Sequence, residues 1–223
     1  MKSLFASIPH GKGSTHAHTS SWVAETLRRQ IAQGQLHPGT KLSEQALSQA
    51  LGVSRNTLRE GFTLLDSDLI IERIPNRGVF VASPGAEDVR EIYAVRRTIE
   101  PAAIAWGPQL NVAALQEVIG EARAGLAEGS VARMADANQK FHELVIRSSG
   151  SVLLTELMVR VLARMRLVFH AMSDAPDFHS HYVERNAALV DKLAAGLRLE
   201  AAEDLRHYLD VAEAELLAHL ASS

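Results

Sequence analysis

Arg55 and Arg59 stand four residues apart with Asn56 and Thr57 between them. On a helix that spacing is one turn, so both guanidinium groups leave the same side. A guanidinium can fork onto a guanine edge or clamp a phosphate, and an Asn amide can pair with adenine. Ser54, just before them, is a residue type that caps helix starts. The unpaired N–H groups of a first helical turn also attract a phosphate. A second cation, Arg77, sits in Pro75-Asn76-Arg77-Gly78, a run of turn-forming residues. This is chemistry for holding a nucleic-acid duplex.

The flanking pattern supplies elements to position these groups. With Ser20 or Ser21 as N-cap, Val23, Leu27, Ile31 and Leu36 space like one face of a first helix, which Gly34 would end. Pro38-Gly39 reads as a turn. A second helix is expected from Ser43, with Glu44 in its first turn and Leu47 and Leu51 as its apolar side. Gly52-Val53 breaks it, and a third helix follows with Leu58, Phe62 and Leu65 facing inward. Two short helices joined by a glycine-containing turn form a helix-turn-helix. Leu69–Ile71 and Val79–Val81 read as two strands around the Arg77 turn, a β-hairpin wing whose tip would reach a minor groove or a phosphate.

Composition narrows the alternatives. The chain has 223 residues, 47% of them hydrophobic and 22% charged. A chain of this size and balance can bury a core. There is no cysteine, which excludes disulfide scaffolds, thiolate zinc sites and cysteine nucleophiles. No apolar run approaches the ~20 residues of a membrane helix. The N-terminal stretch, interrupted by Gly11, Gly13, His16 and His18, does not read as a secretory leader, so a cytoplasmic protein is expected. Residues 1–19 read as a flexible arm. Net charge is +3 up to Ser83 and −6 beyond it. Ser83-Pro84-Gly85 reads as a linker, giving a DNA-binding domain over 20–83 and a second domain over 84–223. That second domain carries six helical stretches, about Ala86–Trp106, Val112–Ala127, Ser130–Ser148, Ser151–Met172, Phe178–Gly196 and Leu199–Leu220. Their breaks are short, at Pro108, Gly129, Gly150, Asp174-Ala175-Pro176 and Gly196, which implies an antiparallel bundle. The expected fold class is mainly α: a winged helix-turn-helix with a small two-stranded wing, then an all-α bundle.

The segments "GQLHPGTKLSEQALSQALGVSRNTLREGF" and "RIPNRGVFV" resemble the DNA-binding domain of the GntR family of bacterial transcription regulators. The family usually reads "SRTPVREAL" where this chain has "SRNTLREGF". The resemblance implies DNA contacts from Arg55 and Arg59 and from the wing tip Arg77-Gly78, with Ser54, Asn56 and Thr57 at the same helix start. A further family arginine falls on Gln45, which carries no charge. Gly61 stands in for an alanine, at a cost of ~1 kcal/mol in a helix unless close packing demands it. The segments "VREIYAVRRTIEPAA", "ANQKFHELVIRSSGS" and "KLAAGLRLEAAEDLRHYL" are similar to the FCD ligand-binding domain of the FadR subfamily.

That second resemblance implies an effector site. Many FCD domains hold a divalent metal through an Asp or Asn, a His four residues later and two further histidines. The first two positions map to Asn138 and His142, the others to Asn186 and Tyr208. A single imidazole among neutral amides and a phenol is a poor set for a first-row metal, so no resident cofactor is expected. Zinc or nickel, at His142 with Asn138, is the alternative, with His170, His179, His181 and His207 nearby in sequence. Asn138, His142, Asn186 and Tyr208 could instead orient a polar effector. Arg96 matches a pocket-facing family arginine and would favour a carboxylate. Arg164 and Arg166 fit surface ion pairs better. The expected function is a homodimeric repressor on a palindromic operator, controlled by a small carboxylic acid. A metal-dependent sensor and an architectural DNA-binding protein without effector are the rivals. An enzyme is not expected, since no nucleophile elbow, phosphate loop or HExxH motif is present.

Overall fold

The computed structural model describes residues 16–32, 35–170, 172 and 176–222. Gly34 and the Asp174-Ala175 break lie outside the described residues, as does most of the expected N-terminal arm. The side chains of His16 and His18 also lie outside them. Contacts divide the chain into two compact units, residues 1–83 and 84–223.

The first unit holds α1 (His16–Ala32), β1 (Lys41–Leu42), α2 (Glu44–Leu51), α3 (Arg55–Ser67), β2 (Ile71–Ile74) and β3 (Gly78–Val81). Helix α1 begins before the Ser20 and Ser21 read as its cap, and Ser20 is a buried interior residue. An arm extending to residue 19 is therefore corrected: the helix continues back to His16. Leu36 is buried, but beyond the end of α1 rather than on its face. Val23, Leu27 and Ile31 meet Leu58, Phe62 and Leu65 of α3 in a fully buried core. Gly61 stands where a side chain would collide: a Cβ there would lie 2.6 Å from Val23 Cγ1 and 3.2 Å from the Ser20 carbonyl oxygen. Close packing of α1 on α3 thus explains the glycine.

Local signals set α2 and α3. The Ser43 hydroxyl accepts from the Ala46 N–H, and Gly52 ends α2 in the left-handed region at φ 66°, where a β-carbon would be strained. The Ser54 hydroxyl accepts from the Thr57 N–H at 3.0 Å and starts α3. The sheet has three antiparallel strands in the order β1-β3-β2. The wing hairpin forms as expected, but its first strand starts at Ile71, because Leu69 turns the chain with φ 56°. The short strand β1 joins it, pairing Lys41 with Phe80.

The second unit has six helices among its described residues: α4 (Ala86–Trp106), α5 (Val112–Ala127), α6 (Val131–Arg147), α7 (Val152–His170), α8 (Pro176–Ala194) and α9 (Arg198–Ser222). Side-chain caps from Asn111 and Ser130 start α5 and α6. The first and last helices of the unit, α4 and α9, pack along each other, and α6 touches α4, α5, α7 and α8. Arg198 seals the end of α4, donating to the carbonyls of Ile104 at 2.8 Å and Gly107 at 2.7 Å. The core between the helices is apolar, built from residues such as Phe141, Val145, Leu162, Leu205 and Leu209. One polar island interrupts it.

Candidate functional site

The residues expected to contact DNA lie on α2, α3 and the wing. Arg55, Asn56 and Arg59 are exposed on α3, and Arg55 has no carboxylate partner among the described residues. Arg59 Nε donates to Glu44 of α2 at 2.9 Å, so its guanidinium is already oriented. Asn56 donates to Glu60 at 2.9 Å. Thr57 is different: it is buried, and its hydroxyl pairs with Ser54 at 2.8 Å. Its part is to build the cap beside the face. Gln45 is exposed in the first turn of α2.

At the wing, Asn76 (φ 60°) and Gly78 (φ 112°) take the left-handed region and turn the chain so that Arg77 stands exposed at the tip. Two further cations join this surface. Lys41 stacks over the Phe80 ring at 5.8 Å, beside Arg77 at 5.7 Å over the same ring. Both cations are drawn to the negative face of the ring. Arg73 of β2 pairs with Asp66 at 3.4 Å and donates to Thr63 Oγ1 at 3.2 Å, which ties the wing to α3. Lys41 carried no sequence signal, because only the β1–β3 pairing brings it to the wing.

The polar island of the bundle brings the five expected effector residues together and adds a sixth, Glu100. Arg96 Nε donates to Glu100 Oε1 at 2.6 Å, one turn along α4. His142 Nδ1 meets the other carboxylate oxygen at 2.6 Å. The Tyr208 hydroxyl lies 3.4 Å from His142 Nε2 and 3.4 Å from Asn138 Oδ1. Asn138 Oδ1 accepts from Asn186 Nδ2 at 2.8 Å. Arg96, Glu100, His142, Asn186 and Tyr208 are all buried.

Burial alone would raise the Glu100 carboxyl, but the Arg96 guanidinium and then His142 override it and hold it well below the usual range. Burial lowers His142, with Glu100 opposing and Arg96 adding to the fall, so the imidazole is neutral. A neutral ring facing a carboxylate through Nδ1 carries its proton there, which leaves Nε2 an acceptor towards Tyr208. Burial also raises the Tyr208 phenol, so it stays protonated. Among the described residues, two buried polar atoms of this cluster remain unpaired, Arg96 Nη2 and Asn186 Oδ1. A void of about 10 Å³ borders Asn138, Asn186 and His179. That is room for a single water.

Arg97, next to Arg96, turns outward to Asp210 and Glu213. Arg164 pairs with Asp88 and Arg166 with Asp136, but Arg166 is buried, so the surface pair expected of it is corrected to a largely buried cation on an exposed carboxylate. His181 and His207 are exposed and stand outside the cluster, while His179 lines its void.

The cluster fits a resident divalent metal poorly. Asn138 Oδ1 already accepts from Asn186, Tyr208 keeps its proton and both Glu100 oxygens are taken by Arg96 and His142, so of these six residues His142 Nε2 is the one uncommitted strong donor. Among the described residues, no three His, Asp or Glu side chains are grouped to hold one. Likewise, no described helix is long and apolar enough to cross a membrane.

A winged helix-turn-helix with a cationic recognition face, joined to a helical bundle, defines a DNA-binding regulator of transcription rather than an enzyme. The family of bacterial regulatory proteins named gntR matches residues 19–81, and the FCD domain matches residues 91–211. The chain therefore belongs to the GntR family, with an FCD domain as its second unit. It is similar to a solved GntR-type transcriptional regulator from Rhodococcus sp. RHA1, at 38% identity and a TM-score of 0.84, covering 89% of this chain and 97% of that one. The galactonate operon transcriptional repressor of Escherichia coli (strain K12) is 29% identical over 171 residues, 66% of this chain and 74% of that protein. The HTH-type transcriptional regulator YdhC of Bacillus subtilis (strain 168) is 29% identical over 140 residues, 60% of this chain. The chain spans 62% of the length of YdhC.

Proposed function

We propose that this regulator is a cytoplasmic repressor that binds a palindromic operator as a homodimer and is controlled by a small carboxylic acid acting on its FCD bundle. Arg55 and Arg59, with Asn56, read base edges and phosphates in the major groove, and Arg77 and Gly78 enter the groove beside it. Ser54 and Thr57 hold the start of the recognition helix, and Gln45 lies against the backbone. In the bundle, Arg96, Asn138, His142, Asn186 and Tyr208 form the sensor, without a resident metal.

The observation that carries the sensor reading is the polar island with its unpaired Arg96 Nη2 and Asn186 Oδ1. Buried polar atoms are almost always satisfied, so an unpaired pair inside an apolar bundle marks a place prepared for a partner. A carboxylate would meet the spare nitrogen of Arg96. The similarity to a galactonate operon repressor agrees with an acid as the class.

The test is operator selection from random duplexes, followed by affinity measurement with and without a panel of small acids. An acid that changes operator affinity about tenfold, and is itself bound more weakly by the DNA complex, fulfils the reciprocity that coupling demands. If no acid changes affinity or thermal stability, the chain is an architectural DNA binder instead.

A further inference from the structure

Beyond the buried island, α8 and α9 leave an open pocket of about 330 Å³ between them. Its walls are Arg185, Ala188, Leu189, Asp204, His207 and Tyr208. The volume falls at the small end of ligand pockets. Its charges are unbalanced in a useful way. The Asp204 carboxylate is taken up by Lys192 at 2.5 Å. The Arg185 guanidinium lies 5.8 Å over the Tyr182 ring and pairs with no carboxylate among the described residues. One uncompensated guanidinium, with exposed His207 nearby, faces an apolar wall made by Ala188, Leu189 and the Tyr208 ring.

We propose that this α8–α9 groove is a binding site for a small monocarboxylic acid with a flat apolar body, held by Arg185. A guanidinium takes a carboxylate through two parallel hydrogen bonds, and a single free cation suits a monoanion. The apolar wall takes the body of the acid. Tyr208 is the partition between groove and island: its ring lines the groove, while its hydroxyl reaches His142 and Asn138 at 3.4 Å each. Bonds of that length hold the phenol loosely. An acid pressed against the ring shifts the hydroxyl between its two acceptors, and the Tyr182 ring, 5.0 Å away, moves with it. The consequence for DNA binding rests on the effector reading above; the site itself does not.

The experiment is calorimetric titration of the full chain with benzoate, and with benzyl alcohol as the uncharged control, in the absence of DNA. Benzoate is expected to bind and benzyl alcohol is not. R185Q is expected to weaken benzoate about tenfold or more, since a charge-assisted contact is lost. R133Q removes a cation from an exposed pair with Glu128, neither residue lying on α8 or α9, and is expected to bind as wild type does. Full benzoate affinity in R185Q, or no benzoate binding by the wild type, overturns the groove. Arg185-dependent binding of benzoate that leaves operator affinity unchanged in a parallel titration with DNA upholds the groove and overturns only its link through Tyr208 to DNA binding.

Discussion

Glu100 Oε2 and His142 Nδ1, 42 residues apart in sequence on α4 and α6, lie 2.6 Å apart inside the FCD bundle. The same carboxylate neutralises Arg96, so the island carries a buried ion pair and a neutral imidazole rather than a free cation. This differs from a pocket with an open arginine: an arriving acid must share Arg96 with Glu100.

Glu100→Gln leaves Arg96 charged, buried and uncompensated. Removing one partner of a buried pair costs about 3–5 kcal/mol. Urea unfolding is expected to show that loss. A change below about 1 kcal/mol would mean that solvent reaches Arg96 and screens the pair as at a surface.

Stability should fall with acid in two windows. His142 and His179 are both lowered by burial, His179 to about 4, with Arg166 adding to its shift. Below about pH 6.5 the unfolded chain takes up protons that these folded rings resist, for His179 down to about pH 4, so stability is full above about pH 6.5 and drops as pH falls. Glu100, held down to about 2 against the rise burial would cause, adds a second loss below about pH 4.5. Denaturation midpoints followed from about pH 7 to about pH 4 should fall, and His179→Asn should flatten the slope. A flat wild-type profile would contradict the buried, neutral histidines.

The recognition face predicts two kinds of defect. Arg55→Ala and Arg59→Ala should each cost about 1–3 kcal/mol and relax base preference. Arg77→Ala should weaken all sequences alike and reduce the salt slope by roughly 1. Glu44→Gln frees Arg59 and should act in the direction of Arg59→Ala, but less. Anisotropy titrations at several salt concentrations separate these cases. Equal losses on cognate and random DNA for all variants would remove the base-reading role.

Gly61→Ala restores a better helix former, yet its Cβ would meet Val23. Overpacking of this kind is expected to destabilise by about 1–3 kcal/mol. Combining it with Val23→Ala should recover part of that loss, a coupling visible in a double-mutant cycle. Stabilisation by Gly61→Ala alone would show that α1 yields at this contact.

Elemental analysis of chain purified without a histidine tag is expected to find far less than one zinc or nickel per chain, since the Glu100 carboxylate is held by Arg96 and His142 and the island leaves His142 Nε2 as its one uncommitted strong donor. One equivalent that persists through dialysis would show Asn138, Asn186 and Tyr208 rearranging into ligands.

Much of this regulator was legible in its sequence because the signals are local. Ser43 and Ser54 cap their helices by bonds within three residues, and Gly52 ends α2 through its own backbone freedom. The i, i+4, i+7 rows at Leu58, Phe62 and Leu65 needed only the helical period to show their buried face. The Arg55–Arg59 pair follows from the same period, and the six bundle helices lie within a few residues of their expected ranges.

What the tertiary structure alone decided is non-local. The early start of α1, which carries Ser20 inside the helix, follows from packing on α3, and so does the need for Gly61. The two-residue strand β1 has too little sequence to signal itself; pairing with β3 creates it and brings Lys41 to the wing. Glu100 offered only a spacing of four from Arg96. Its second partner, His142, comes from α6, and no local rule joins them. Periodicity and caps are set by neighbours along the chain. Charge pairing in a low-dielectric interior is set by whichever helices meet there, and the meeting decides whether a buried arginine is free or taken.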